Sequence, residues 1–534
     1  MHVFGHRVFP AIEAMRLSGE WLHLGEHESL GPRQKDLVEW LEKRDPATLP
    51  EIAEHLGVDQ KAAQSIVDEL IKIDFLVREA DTDPAAYRLL HHCQELAEAA
   101  AKPTLSQDEM RKKLVGGISR YVGLQVISLG LGYVTQLLMA RILGSSDYGF
   151  YSMAVTMAGV LAYVASLGFP YGGLQRFIPQ YLKEETWPLF KGLVLRSVEL
   201  SGLAGVTLVV IAAPILWFVD LPTLEKQVLA VGMLMVPVAG LAMVFSGVFQ
   251  SLKRWIASYF SDEVFMPTVW ILVILAMTQL GDQVTVLMLI IGSFCVRVLS
   301  LGVEGTWMWV DLPKQVRKAK RQNQTKKWLG TSLPVLIATL FGIVVYRADL
   351  LFVGSIRGTT EAGIYAAVLT TTELFGVFLV AANTVGTPEL APLFKKKDMQ
   401  ALQHLASLQA RLAFTPALVG TVFCAIFGTQ ILRLFGEGFD AGYTALLILL
   451  FNQLVKASIG APNMYLVMSG NQMRMVQVYL LSAVVDIVLL VALVPSYGME
   501  GAAIGSMVAM FVTQSLLALL ARQKTGIRTT VFGI

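Results

Sequence analysis

From about residue 118 onward, apolar runs of bilayer-spanning length follow one another with only short polar breaks. Residues 121–140, 200–219, 227–252, 412–432 and 501–521 contain no Asp, Glu, Lys or Arg. About 20 apolar residues, at 1.5 Å rise each, cover the roughly 30 Å of a hydrocarbon core. A buried soluble helix rarely needs that length without a charge. The pattern therefore predicts an all-α polytopic membrane protein. Twelve helices are expected, at 118–142, 149–173, 192–219, 228–252, 258–281, 284–310, 329–354, 362–391, 408–435, 441–468, 473–495 and 500–521.

The breaks between these runs alternate in charge. One set carries Arg111, Lys112 and Lys113; Arg176, Lys183 and Lys191; Lys253 and Arg254; the series from Lys314 to Lys327; Lys395 to Lys397; Arg474; and Arg522, Lys524 and Arg528. The other set is nearly bare, reading SSDYG, DLPTLEKQ, GDQ, RGTTEAG, GEGFD and PSYGME. Basic loops stay on the cytoplasmic side. Both termini are therefore expected inside, in a multi-pass protein of the cell inner (cytoplasmic) membrane.

A loop is written twice. GSSDYGFYSM (144–153) returns as GTTEAGIYAA (358–367), with Gly144, Asp147, Gly149 and Tyr151 matching Gly358, Glu361, Gly363 and Tyr365 at an offset of 214 residues. That offset is one six-helix half, so the halves, 118–328 and 329–534, are expected to run in the same sense about an axis normal to the membrane. Ser146 or Thr360 suits a helix cap, Asp147 or Glu361 the positive end of a helix dipole. Gly149 and Gly363 allow close helix approach. QSLKRW and VMSGNQ form a weaker second echo at the inner ends of helices 4–5 and 10–11.

Residues 1–100 differ in character. They carry 10 Lys/Arg against 19 Asp/Glu, a net of −9, whereas the remainder has a net of +11. A soluble acidic domain is expected there, joined by a linker at 101–117 that includes Pro103. IEAMRL and EWLHLG suggest a short hairpin, and GPRQKDLVEWLEK a first helix. TLPEIAEHLG offers Thr48 and Glu51 as a capping box with Gly57 as the stop. Asp59 can cap QKAAQSIVDELIKI, with Ile66, Leu70 and Ile73 on one face, and FLVRE would return as a strand. This is a winged-helix-like α+β pattern. Its acidity excludes the basic face that phosphate binding needs, so no nucleic acid is expected and a protein or peptide partner fits better. The layout resembles the peptide-chaperone domains of pyrroloquinoline-quinone synthesis.

Overall, 54% of the residues are hydrophobic and 16% charged. The three cysteines are widely separated, which argues against a disulfide framework or a cysteine metal site. Seven of the eight histidines precede residue 93, including His91-His92-Cys93, without the ligand spacing of a zinc module. The first 30 residues hold no continuous apolar core, so no cleavable signal peptide is expected. No G-x-x-x-x-G-K-[ST] loop occurs, so drive is expected from an ion gradient, the membrane potential or the substrate's own gradient. Neither enzyme chemistry, a cofactor nor a metal is expected.

ARILGSSDYGFYSMA with GFPYGGLQRF, RADLLFVGSIRGTTEAGIYAAV, and VPSYGMEGAAIGS resemble the polysaccharide flippase family of the multidrug/oligosaccharidyl-lipid/polysaccharide exporter superfamily. The resemblance covers roughly 112–525. It implies translocation of a polyprenyl-pyrophosphate-linked oligosaccharide from the inner to the outer leaflet, for cell-surface polysaccharide biosynthesis. Such a headgroup cannot cross hydrocarbon unaided and needs a polar, preferably cationic cavity. A multidrug extruder of the same superfamily, a membrane-anchored regulator with a winged-helix output, and a peptidoglycan-precursor flippase are the alternatives. The last usually carries two further helices.

Ionisable groups inside spans are functional candidates. Arg297, Lys456, Arg347, Arg176 and Asn452 are the expected substrate contacts, with Gln453 and Asn463 as further polar groups. Glu199, Asp349, Glu373 and Asp486 are candidates for a coupling ion. Structural pairing is the competing reading for each. Arg141 and Arg433 are helix-end residues expected to snorkel. Pro267, Pro334, Pro388 and Pro462 are expected to kink or end helices.

Overall fold

The computed structural model describes Leu37 and residues 47–72, 76–78, 86–89, 107–254, 258, 260–279, 284–395 and 398–531. The expected 12–25 hairpin, the 31–43 helix apart from Leu37, the His91-His92-Cys93 cluster and Pro103 lie outside the described residues.

The N-terminal region contains β1 (Ala47–Thr48), α1 (Leu49–Leu56), α2 (Gln60–Lys72), β2 (Leu76–Arg78) and β3 (Ala86–Leu89). The strands form an antiparallel sheet in the order β1-β3-β2, with Ala47 opposite Tyr87 and Val77 opposite Arg88. The Thr48 N–H donates to Glu51 Oε2 at 2.8 Å, answering a donor that a helix start leaves open. Gly57 ends α1 with φ 61°, in the left-handed region that favours glycine. Asp59 Oδ1 accepts from Ala62 N at 2.9 Å and starts α2. Among the described α2 side chains Ala63 and Val67 are buried, as are Ile52 and Ala53 on α1, while Ile66 is half-buried. Ile73 and the side chain of Leu70, the rest of the expected stripe, lie outside the described residues.

The long helices are α3 (Gln107–Ala165), α5 (Trp187–Phe218), α6 (Thr223–Ser251), α7 (Met266–Gln279), α8 (Val286–Asp311), α10 (Thr325–Arg357), α11 (Thr359–Lys395), α12 (Met399–Arg433), α13 (Tyr443–Ile459) and α15 (Gln472–Thr525). Shorter ones are α4 (Gly173–Lys183), α9 (Lys314–Lys318) and α14 (Pro462–Met468). Among the described residues nine helical stretches are long and apolar enough to cross a membrane, and ten if the bent helix α10 counts as one. The protein is a multi-pass helical membrane protein. In α10 the limbs Thr325–Ile343 and Tyr346–Arg357 meet at 55°. The bend falls well past Pro334, which sits inside the first limb.

Two stretches counted once contain a break. Gly144 in α3 has φ 72° and ψ 175°, and Gly498 in α15 has φ 56° and ψ −134°. Gly358, between α10 and α11, has φ 94° and ψ 171°, the backbone of Gly144 repeated. The second echo also returns as geometry. Lys253 N donates to Gln250 O and Arg254 N to Phe249 O; Gly470 N donates to Val467 O and Asn471 N to Leu466 O. Both are helix ends closed by a left-handed residue, with φ 59° at Lys253 and 74° at Gly470.

The two copies of the repeated loop pack on each other. A Cβ on Gly149 would overlap the Thr359 carbonyl, and one on Gly363 would overlap the Ser145 carbonyl. The Ser146 hydroxyl, expected as a cap, meets the Thr359 hydroxyl at 2.8 Å across this contact. Small residues let two helix backbones approach this closely. A core of buried Tyr148, Tyr151, Tyr365 and Phe439 lies directly beneath. At the basic end the halves touch again. Gly173 N donates to Ser332 Oγ at 3.0 Å, and just before that boundary, in the first turn of α10, Trp328 Nε1 donates to the Tyr181 hydroxyl at 2.9 Å.

Overpacking such a contact costs about 1–3 kcal/mol. Gly149→Ala and Gly363→Ala are each expected to lower the melting temperature of the detergent-purified protein. Gly302→Ala, where an added Cβ meets no atom within 4 Å, is expected to leave it unchanged.

Candidate functional site: a cavity between the halves

Between the repeated-loop contact and the basic end lies a cavity of about 140 Å³. Helix α3 supplies Ser128, Tyr133, Gln136, Tyr148 and Tyr151; the α7 region supplies Asp262, Glu263 and Trp270; α10 and α11 supply Arg347 and Glu373. Both halves of the sequence therefore build one wall. Ligand sites usually run to about 300–1,000 Å³. A large headgroup needs the halves to part before it can enter.

The charged wall groups are held in pairs. Arg347 Nη2 donates to Glu373 Oε1 at 2.8 Å across α10 and α11, both side chains mostly buried. The other two carboxylates come from Ser261–Phe265, a π-helical turn leading into α7. Such turns are rare and cluster at functional sites. Asp262 accepts from Arg297 Nη1 at 2.6 Å, and Glu263 accepts from the Ser128 hydroxyl. Arg297, fully buried on α8, also lies 3.9 Å from Glu304. Glu304 Oε1 in turn accepts from Ser261 at 3.0 Å and Ser300 at 3.1 Å. Arg297 thus reaches the cavity through Asp262.

The other expected residues fall elsewhere. Lys456 Nζ on α13 stands 5.0 Å over the Tyr346 ring, a cation–π contact, one residue from Arg347. Asn452, one turn earlier on α13, is half-buried. Its Oδ1 has no hydrogen-bond partner among the described residues. Arg176 is exposed on α4, with its guanidinium carbon 5.6 Å from the Phe177 ring. Glu199 is exposed on α5, holding Arg196 at 3.1 Å and Arg321 Nη2 at 2.6 Å. That pair ties α5 to the break before α10, where Lys191 Nζ also donates to the Arg317 and Ala319 carbonyls. Of the helix-end residues, Arg141 donates to the Leu434 carbonyl at 2.6 Å and Arg433 bonds Asp440 at 3.0 Å.

Asp349 and Asp486 form a separate buried centre in the second half. Asp349 accepts from Leu350 N at 2.8 Å, the Tyr365 hydroxyl at 2.9 Å and the Ser506 hydroxyl at 3.3 Å. Asp486 is fully buried within electrostatic reach of Asp349. Neither of its oxygens has a hydrogen-bond partner among the described residues, and nor does Ser482 Oγ one turn before it. Among the described residues no three His, Cys, Asp or Glu side chains group to hold a metal.

Residues 114–394 match the family model described as "Polysaccharide biosynthesis protein". The chain belongs to the polysaccharide biosynthesis protein family. The matched stretch runs from the start of α3 to the end of α11, so it includes every wall residue of the cavity. No curated protein matches the chain. Several solved structures are similar in fold. One is an inward-facing multidrug resistance MATE family transporter of the MOP superfamily, at TM-score 0.63 and 15% identity, covering 76% of this chain and 98% of that one. Another is the lipid II flippase MurJ in an inward closed conformation, at TM-score 0.60 and 15% identity, covering 75% and 87%. A third is a MOP superfamily transporter from Pyrococcus furiosus, at TM-score 0.52 and 14% identity, covering 79% and 97%. At such identities the likeness establishes the fold alone.

In this family member, reading spans for charge singles out Arg297 and Arg347 but passes over Asp262, Glu263 and Glu304. The signal was present: SDEVF puts adjacent carboxylates at the start of an apolar run, and Glu304 follows Arg297 by seven residues, two turns on the same helix face.

Removing one member of a buried ion pair strands its partner at a cost of about 3–5 kcal/mol. Arg297→Ala is expected to abolish the monodisperse peak in fluorescence-detected size exclusion. Arg196→Ala, in a partly exposed pair of little worth, is expected to preserve it.

Proposed function

We propose that this chain is a flippase that carries a polyprenyl-pyrophosphate-linked oligosaccharide from the inner to the outer leaflet by alternating access. One observation carries the reading. Arg347 lies on the wall of a cavity between two repeat-related halves, and the same halves meet closely at the end away from the basic loops. The basic wall group would take the pyrophosphate, in a low-dielectric site where charge pairing is strong. Glu373 would hold Arg347 between cargoes. Counting α3 and α15 as two spans each, divided at Gly144 and Gly498, gives twelve in two parallel sextets. The positive-inside rule then puts the repeated loops outside and both termini in the cytoplasm. Rocking the halves about the Gly149–Gly363 contact would open the cavity to each side in turn.

Asp349 and Asp486 are the coupling centre in this reading. A carboxylate without a partner in a buried site is costly, and a proton or a monovalent cation relieves it. Lys456, over the ring of Tyr346 next to Arg347 in the chain, and Asn452 one turn before it would guide the headgroup, and Arg176 would meet it at the cytoplasmic mouth. The acidic region 1–100 would be a winged-helix-like domain for a protein or peptide partner. Its exposed Glu54, Asp59 and Asp68 support that polarity.

Export of cationic drugs is favoured by a different observation, the three carboxylates against one guanidinium on the wall. Two outcomes decide. Arg347→Ala, in proteoliposomes loaded with a fluorescent glycosylated polyprenyl pyrophosphate, is expected to slow flipping at least about tenfold, as loss of one charged hydrogen bond costs 1.5–3 kcal/mol. Unchanged flipping would remove Arg347 from the site. Asp486→Asn is expected to leave flipping insensitive to an imposed cation or proton gradient that accelerates the unaltered protein.

A further inference from the structure

The basic segment between the two halves is held more firmly than its topological role requires. Orienting a membrane protein takes positive charge on one side and asks nothing of the backbone that carries it. Here the backbone is fixed. Lys191 Nζ donates to the Arg317 and Ala319 carbonyls at 2.7 and 3.0 Å, and Gln322 N donates to the Pro188 carbonyl at 3.0 Å. A Cβ on Gly192 would overlap the Gln322 carbonyl, so glycine is what lets the segment lie this close to α5. Val316, on α9, is buried in one core cluster with Phe190 and Trp328. The basic side chains are left outside. Residues 312–327 carry seven Lys/Arg and no Asp or Glu. Arg321 is taken by Glu199, and the preceding Asp311 by Arg254. Lys314, Lys318, Lys320 and Lys326 are exposed and have no acidic partner among the described residues. A pinned backbone thus presents a row of four cations.

We infer that this row is a docking surface for the acidic region 1–100 of the same chain. The inference rests on the reading of that region as a protein-binding module and names its partner; it holds for any cargo. Charge complementarity is the first support. Region 1–100 has a net charge of −9, and Glu54 on α1, Asp59 before α2 and Asp68 on α2 are exposed. Reach is the second. The start of α3 lies a full span before the break at Gly144, so region 1–100 joins the bundle at the same basic end as the row. From Leu89 to Gln107 is 18 residues, and a chain of that length extends to about 60 Å, some six helix diameters of about 10 Å. A tether makes the encounter intramolecular, at an effective concentration on the order of millimolar. A charge contact screened over about 8 Å needs that help. Seated on the row, the region lies next to the Gly173–Ser332 contact between the halves.

The test is zero-length carbodiimide crosslinking of the full-length protein in lipid nanodiscs, read by mass spectrometry, since that reagent joins a carboxylate to a lysine only where the two meet. Isotopically light and heavy protein are mixed before reconstitution. Links within one isotope are expected from carboxylates of residues 1–100 to Lys314, Lys318, Lys320 or Lys326. They are expected to fall at least about tenfold between 0.1 and 1 M KCl, as the Debye length shortens from about 10 to about 3 Å. Lys314→Gln combined with Lys318→Gln and Lys320→Gln is expected to reduce the links to Lys326 at an unchanged melting temperature. Should that variant not fold, the salt series on the unaltered protein decides. Salt-insensitive links, links confined to Lys112 and Lys113 beside the tether, or none at all overturn the docking and leave region 1–100 to an outside partner. Links between light and heavy chains overturn it in favour of a second copy. Links found in phosphatidylcholine discs but lost in discs containing phosphatidylglycerol overturn it in favour of anionic lipid headgroups.

Discussion

Where the backbone of Ser145–Gly149 meets that of Thr359–Gly363, neither strand of chain leaves room for a Cβ, and the two halves touch through carbonyls and glycine. This contact sets the spacing of everything beneath it. Tyr148 within the first stretch, and Tyr151 and Tyr365 just after the two stretches, are buried in one core cluster. Tyr148 and Tyr151 also line the cavity. A larger residue at either glycine would wedge the halves apart at one end, and the Ser146–Thr359 hydroxyl contact would be lost with it.

Inside the bundle the organising constraint is electrostatic. Hydrocarbon offers nothing to an ionised group, so each one must be answered by protein. Arg297 answers Asp262 and Glu304, and Arg347 answers Glu373. These pairs differ in what they permit. The Arg297 set is buried on α8 and the π-helical turn of the first half and serves as a fixed brace. The Arg347–Glu373 pair lines the cavity and joins two adjacent helices of the second half. Asp486 stands apart from both, a buried carboxylate within reach of Asp349.

The basic end is built by a different logic. Lys191 donates to the Arg317 and Ala319 carbonyls, and Arg321 grips Glu199, so the segment linking the two halves lies pinned along α5. The first limb of α10 then leans on the first half through Trp328 and Ser332 before turning by 55° into its second limb. Pro334, the obvious sequence suspect, lies within the first limb, ahead of that bend.

The sequence by itself determined the class, the repeat and the helix punctuation, because these are written in local chemistry. Charge-free runs can only be stable as spans, the alternating basic breaks order them, and the loop pairs at Gly144/Gly358 and Lys253/Gly470 reappear as matched backbone turns. The capping residues Thr48, Gly57 and Asp59 were legible for the same reason. What only the tertiary structure decided is which charges meet. Arg297 and Arg347 look alike in the sequence, each a lone base in an apolar helix. One is enclosed by acids 35 residues back and seven ahead, the other opens on a cavity. Glu199, a coupling-ion candidate in the sequence, is exposed on α5 beside a loop arginine more than 120 residues away. SDEVF shows Asp262 and Glu263 in the sequence but not the wall they stand on, because that wall is assembled from helices far apart in the chain and one-dimensional periodicity carries no information about such neighbours.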